Sequence, residues 1–139
     1  MGRILAIDYG QKRTGLAVTD DLQMIANNLG VIQTKDIFVF ITDYIKNNIV
    51  EAFVVGEPKR LDNTPSQSVK FIEPFIRRLK KLYPEIRIVR IDERFTSKMA
   101  FQTMIDAGLK KKDRQNKGLV DSISATIILQ TYLEMKEIR

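Results

Sequence analysis

Three acids end or interrupt apolar stretches of this chain. Asp8 closes the run Ile4 to Ile7, Glu93 follows the alternating segment Ile86 to Ile91, and Asp121 sits between Val120 and Ile123. A carboxylate at the mouth of a buried strand is costly unless water, a cation or a hydrogen-bond donor receives it. Gly10 thins the backbone beside Asp8, and Lys12 and Arg13 follow at once. Acids gathered without partners raise one another's pKa. A divalent cation removes that conflict, and two cations roughly 3.5–4 Å apart suit phosphodiester cleavage. Each acid also has a plainer use. Asp8 can simply open a turn, Asp92 and Glu93 can be solvated residues after a strand, and Asp121 can favour a helix dipole.

Composition narrows the chemistry. The 139 residues include no histidine and no cysteine. Histidine general bases, Ser-His catalysis, disulfides and thiolate zinc sites are all excluded. Carboxylate oxygens remain as metal ligands, and such ligands suit Mg²⁺ or Mn²⁺. The formal charge of +6 is compatible with a polyanionic partner without requiring one. The segment Lys110-Lys111-Lys112-Asp113-Arg114-Gln115-Asn116-Lys117 carries five basic residues against one acid and no apolar periodicity. It reads as an exposed loop, either a solvated surface or a grip on phosphates next to Asp121. No apolar run approaches the roughly 20 residues of a bilayer span. A cytoplasmic protein without membrane contact or signal peptide is expected.

The elements that must position the acids follow from periodicity. Ile4 to Ile7 and Leu16 to Val18 read as a strand, a tight turn and a returning strand. A third short strand is expected over Leu29 to Gln33, then a helix capped by Asp36 and running to Asn47. Ala52 to Val55 reads as a strand ending at Gly56. Thr64-Pro65-Ser66-Gln67 has the form of a helix start, with Pro74 expected to kink the helix that follows. Ile86 to Ile91 alternates as a half-buried strand. A helix from about Ser97 to Asp106 stops at Ala107-Gly108, and a last helix covers Gly118 to about Lys136. The order β-β-β-α-β-α-β-α-α predicts one α/β domain over residues 1–139. Its mixed five-stranded sheet has three antiparallel strands followed by two parallel ones, flanked by helices. In such open sheets ligands gather beyond the carboxyl ends of the strands.

Four ordered motifs resemble one family. Asp8-x-Gly10-x-x-Arg13-x-Gly15, Val54-Val55-Gly56-x-Pro58, Asp92-Glu93-Arg94-x-Thr96-Ser97 and Val120-Asp121-x-x-Ser124-Ala125-x-x-Ile128-Leu129 are similar to motifs of the YqgF family, also called RuvX. The resemblance runs from Arg3 to about Leu133. It implies an RNase H-like fold related to the Holliday-junction resolvase RuvC, with Asp8, Glu93 and Asp121 as the metal-binding, catalytic acids. Members of the family are proposed to process the 5′ end of precursor 16S ribosomal RNA or, alternatively, to resolve branched DNA. Two positions depart from the pattern. Glu57 stands where the family usually has Leu, and Asn63 where it usually has Gly. Glu57 either joins the site or reorients the loop after it.

The expectation is therefore a Mg²⁺- or Mn²⁺-dependent nuclease on structured nucleic acid, with precursor rRNA favoured over branched DNA. Lys12, Arg13, Arg94, Lys110, Lys111, Lys112, Arg114 and Lys117 would position the backbone, leaving selectivity to nucleic-acid shape. Monomer and weak homodimer both remain open. Two other readings compete. Asp8-x-Gly10 before a returning strand also resembles the first phosphate motif of actin-like ATPases, whose sites need two such domains. A non-catalytic nucleic-acid-binding module would use the same basic residues.

Overall fold

A computed structural model of the chain describes residues 2–57, 69–92 and 117–138, with the backbone alone at 69, 117–122, 137 and 138. Five strands form one sheet: β1 (Arg3–Tyr9), β2 (Arg13–Thr19), β3 (Ala26–Gln33), β4 (Val50–Glu57) and β5 (Arg87–Asp92). Their order across the sheet is β3-β2-β1-β4-β5. The β1–β2 and β2–β3 pairs are antiparallel, whereas β4 lies parallel to both β1 and β5. Three helices accompany them: α1 (Ile37–Asn47), α2 (Val69–Leu82) and α3 (Lys117–Ile138). This is the RNase H-like arrangement the sequence predicts. The cap expected at Thr64 and the helix expected over 97–106 lie outside the described residues.

Strand alternation divides the apolar residues between two faces. Leu5, Ile7, Leu16, Val18, Phe53 and Val55 bury one face under Ile37 and Ile41 of α1 and Ile72, Phe75 and Leu79 of α2. Ile4, Ala6, Ala17, Val54 and Ile91 bury the other under Ala125, Ile128, Leu129 and Tyr132 of α3. The α2 pattern needs little else to specify it, since Ile72, Phe75, Ile76 and Leu79 recur at helical spacing. Pro74 lies inside that helix at an exposed position.

Strand β4 runs past its expected end at Gly56 to Glu57, and three further departures from expectation have identifiable reasons. β3 begins at Ala26 because Ala26, Asn27 and Asn28 pair through the backbone with Thr19, Val18 and Ala17. Their side chains add no apolar signal, as suits an edge strand. Asp36 occupies the N-cap position of α1 but makes no side-chain capping bond; a 3-10 turn, Thr34–Asp36, leads into the helix instead. Lys117, expected in the basic loop, is the first residue of α3.

Candidate active site

Because β1, β4 and β5 are parallel, their carboxyl ends share one edge of the sheet. Asp8 lies there, one residue from the end of β1 and partly buried. Its face is fixed by alternation. Tyr9 packs into the cluster under α1 and α2, stacking on Phe75 at 4.2 Å between ring centroids, so the chain alternates through the end of the strand. Asp8 therefore shares the face of Ile4 and Ala6, which α3 covers. Burial pushes the Tyr9 phenol up from its ordinary value and keeps it neutral beside the acid.

The register sets a glycine on each side of Asp8. Its partner on β2 is Gly15. On the other side Ile7 pairs with Val55, so the next step along both strands brings Asp8 level with Gly56. Gly15 follows the parity of Ala17, and Gly56 that of Val54, so both glycines belong to the α3 face. No neighbouring Cβ crowds the carboxylate from either strand. Both glycines fall within the sequence motifs, but their place beside the acid depends on strand register, a long-range property.

The turn after Asp8 is locked. A Cβ on Gly10 would lie 2.3 Å from the Arg13 carbonyl oxygen, a contact no other residue could accept. The Thr34 hydroxyl donates to the Gly10 carbonyl at 2.7 Å and lies 2.8 Å from the buried Thr14 hydroxyl. The Thr34 backbone N–H donates to the Lys12 carbonyl at 3.0 Å. Thr34 is thus a part of the site that no motif indicated. It holds the turn that carries Lys12 and Arg13, both exposed.

The direction of α3 brings its first turns to this same edge. At its far end Lys136 donates to Gln23, whose side chain in turn reaches the Gly2 carbonyl and Glu51. Those groups stand at the starts of β1 and β4. From Lys136 back to Asp121 the helix rises about 22 Å, and from Gly2 to Asp8 the strand advances about 20 Å. Position 121 is also one turn ahead of the fully buried Ala125. The backbone at position 121 accordingly lies at the same edge of the sheet as Asp8, on the side α3 covers.

Glu93, Arg94, Lys110, Lys111, Lys112 and Arg114 lie outside the described residues, and so does Asn63. Among the described residues no three acids gather as metal ligands. Asp92, the last residue of β5, follows the parity of Ile88 and Arg90 on the α2 side, whereas Val89 and Ile91 belong to the α3 side. Glu57 is turned away from Asp8 as well. It lies 3.5 Å from the Arg90 guanidinium, which also contacts Glu73 of α2 at 2.5 Å. That ion pair on the far face rules Glu57 out as a neighbour of the Asp8 carboxylate. A half-buried carboxylate flanked by two glycines supplies the oxygen ligands that suit a hard divalent cation.

Comparison with known proteins agrees with this architecture. Residues 2–135 match the family model described as RuvX: Holliday junction resolvase. A Christiangramia forsetii protein named "Putative pre-16S rRNA nuclease" is 61% identical over 133 residues, covering 96% of this chain and 98% of its own. A Bacteroides fragilis protein of the same name is 56% identical over 138 residues, covering 99% and 100%. Among solved structures, "T. thermophilus RuvC in complex with Holliday junction substrate" superposes with a TM-score of 0.57 at 16% identity, covering 97% of this chain and 96% of that one. At that identity the likeness speaks for the fold. By motif order, topology and full-length similarity, the chain belongs to the RuvX (YqgF) family of RNase H-fold nucleases.

Proposed function

We propose that this protein is a divalent-metal-dependent nuclease that trims the 5′ end of precursor 16S rRNA. The observation that carries the reading is Asp8, held at the carboxyl edge of the sheet between two glycines, on the face α3 covers. The names of its full-length relatives support the substrate. Asp8, Glu93 and Asp121 would hold Mg²⁺ or Mn²⁺. Bound there, the cation supplies charge neutralisation at the scissile phosphate and a water activated for attack.

The chain's own residues do the rest. Asp8 contributes a fixed negative charge from a strand that cannot shift without disturbing the core. Gly15 and Gly56 leave room for a phosphate to approach it. Lys12 and Arg13, on the turn locked by Thr34, meet the nucleic-acid backbone, joined by Arg94, the basic run Lys110 to Arg114, and Lys117. Glu93 rather than Asp92 completes the acid set, since the parity of β5 sends Asp92 toward α2. Such contacts grip phosphates and read no base edges, so shape selects the substrate. A ribosomal RNA precursor puts this work in the cytoplasm, with the chain acting as a monomer or weak homodimer.

Branched DNA is the second reading, supported by the family description. One experiment separates them. Purified protein is incubated with end-labelled precursor 16S RNA or a labelled four-way DNA junction, with Mg²⁺ or Mn²⁺ and with a chelator. Metal-dependent cuts near the mature RNA 5′ end are expected. Cleavage of the junction alone would favour the DNA reading, and binding without cleavage of either would leave a non-catalytic module.

A further inference from the structure

The outer face of α2 has no role in the site described above. Helix α2 carries Lys70, Arg77, Arg78, Lys80 and Lys81 against a single acid, Glu73. That acid is already engaged from below by Arg90. At 100° per residue, Lys70, Pro74, Arg77 and Lys81 form one stripe opposite the buried Ile72, Phe75 and Leu79. Lys70, Arg77, Lys80 and Lys81 are exposed, and among the described residues none of them makes an ion pair. Arg78 lies over the Phe38 ring at 4.5 Å, which holds its cation at the flank of the stripe. Unneutralised like charges along one helix are mildly self-repelling, so an anionic partner would relieve as well as contact them.

The stripe has a fixed relation to the candidate active site. Phe75, on the buried side of α2, stacks on Tyr9, the residue after Asp8. From Lys70 to Lys81 the stripe extends about 16 Å, a length over which a duplex presents roughly one phosphate charge per 1.7 Å of axis. We infer that the outer face of α2 is a second nucleic-acid contact, which holds the phosphate backbone of a helical arm of the substrate away from the scissile phosphate. The inference rests on the proposed nucleic-acid substrate, but not on cleavage. It deepens the shape-selection argument: one contact surface lies at the Asp8 edge and another beneath the sheet, so a substrate satisfying both must be structured and long enough to bridge them.

The test is a paired binding measurement in an Asp8→Asn background, where the probe is not consumed. Arg77→Glu/Lys81→Glu is compared with its parent on two probes, an RNA hairpin with a stem of about two helical turns and a short single-stranded RNA. Both substituted side chains are exposed, so thermal melting should match the parent; Arg77→Ala/Lys81→Ala serves as the variant if it does not. The preference for the long hairpin over the short strand should fall about tenfold, and the logarithmic salt slope for the hairpin should flatten by about 1.4–1.8, the share of two lost phosphate contacts. Unchanged preference and slope would overturn the inference and leave α2 open to a protein partner. Equal loss on both probes would also overturn it, since that is a change in overall charge rather than a contact with an arm. Loss of hairpin preference by a protein whose wild type cleaves nothing would uphold the α2 contact while refuting the nuclease reading.

Discussion

The two faces of the sheet are built from side chains of different size. Where α1 and α2 pack on the sheet, Phe53 and the strand Ile, Leu and Val residues meet Ile37, Ile41, Ile72, Phe75 and Leu79 of the helices, with Tyr9, Phe38 and Tyr83 packed at their margin. Where α3 packs on the sheet, Ala6, Ala17 and Ala125 stand among Ile4, Val54, Ile91, Ile128 and Leu129, and at the carboxyl edge the strands carry Gly15, Asp8 and Gly56. Large side chains bury more apolar area and supply most of the transfer free energy. Small ones let a helix approach the strands closely and leave the Asp8 carboxylate with glycine on both neighbouring strands where the sheet ends. One face carries the bulkier side chains, and the other has smaller ones beside the proposed site.

Changes in side-chain volume should therefore act oppositely on the two faces. The largest expected effect is on the thick side. Phe53→Ala removes a fully buried ring that tilts against Tyr83 at 5.9 Å, and should lower unfolding free energy by about 3–5 kcal/mol in urea titration. A loss under 1 kcal/mol would mean that this face is not the stabilising one. On the thin side addition should hurt. Ala125→Leu inserts three carbons where there is no exposed surface at all, and overpacking should destabilise by about 1–3 kcal/mol.

Smaller effects locate the boundary between the faces. Thr34→Val keeps shape while removing the hydroxyl that serves Gly10 and Thr14, and should reduce stability by about 1–2 kcal/mol, read by thermal melting. The smallest concerns the opposite edge. Asp20 accepts backbone bonds from Met24 at 2.8 Å and Ile25 at 3.0 Å, which hold its carboxyl below the ordinary aspartate range. A depressed pKa stabilises the fold above the unfolded value, and that contribution is lost as pH falls through the folded one. The stability gap between wild type and Asp20→Ala should be present at neutral pH and close below about pH 4. A gap that widens on acidification would contradict this account of the turn.

Much of this contrast was readable in the chain, and the exceptions share a cause. Buried runs such as Ile4 to Ile7 and Ala52 to Val55 announce their strands through side chains alone. Asp8 is legible for the same reason, because it breaks such a run. Ala26 to Asn28 gave little signal because an edge strand pairs through its backbone, and only Ala26 of the three packs on the core while Asn27 and Asn28 are exposed. Asp36 looked like a cap by residue type, yet the 3-10 turn beginning at Thr34 prepares the helix without it. The glycines beside Asp8, the Thr34 clamp and the turning of Glu57 toward Arg90 all depend on which strands are neighbours and in what register. That information is long-range, and no local pattern in the sequence encodes it.

Asp8 is proposed to serve chemistry rather than stability. Wild type and Asp8→Asn, an isosteric change that removes only the charge, should be compared for thermal melting and for Mn²⁺- or Mg²⁺-dependent cleavage of labelled precursor 16S RNA in the same preparations. Melting within a few degrees of wild type with cleavage abolished is the predicted result. Cleavage by Asp8→Asn at the wild-type rate would contradict the account.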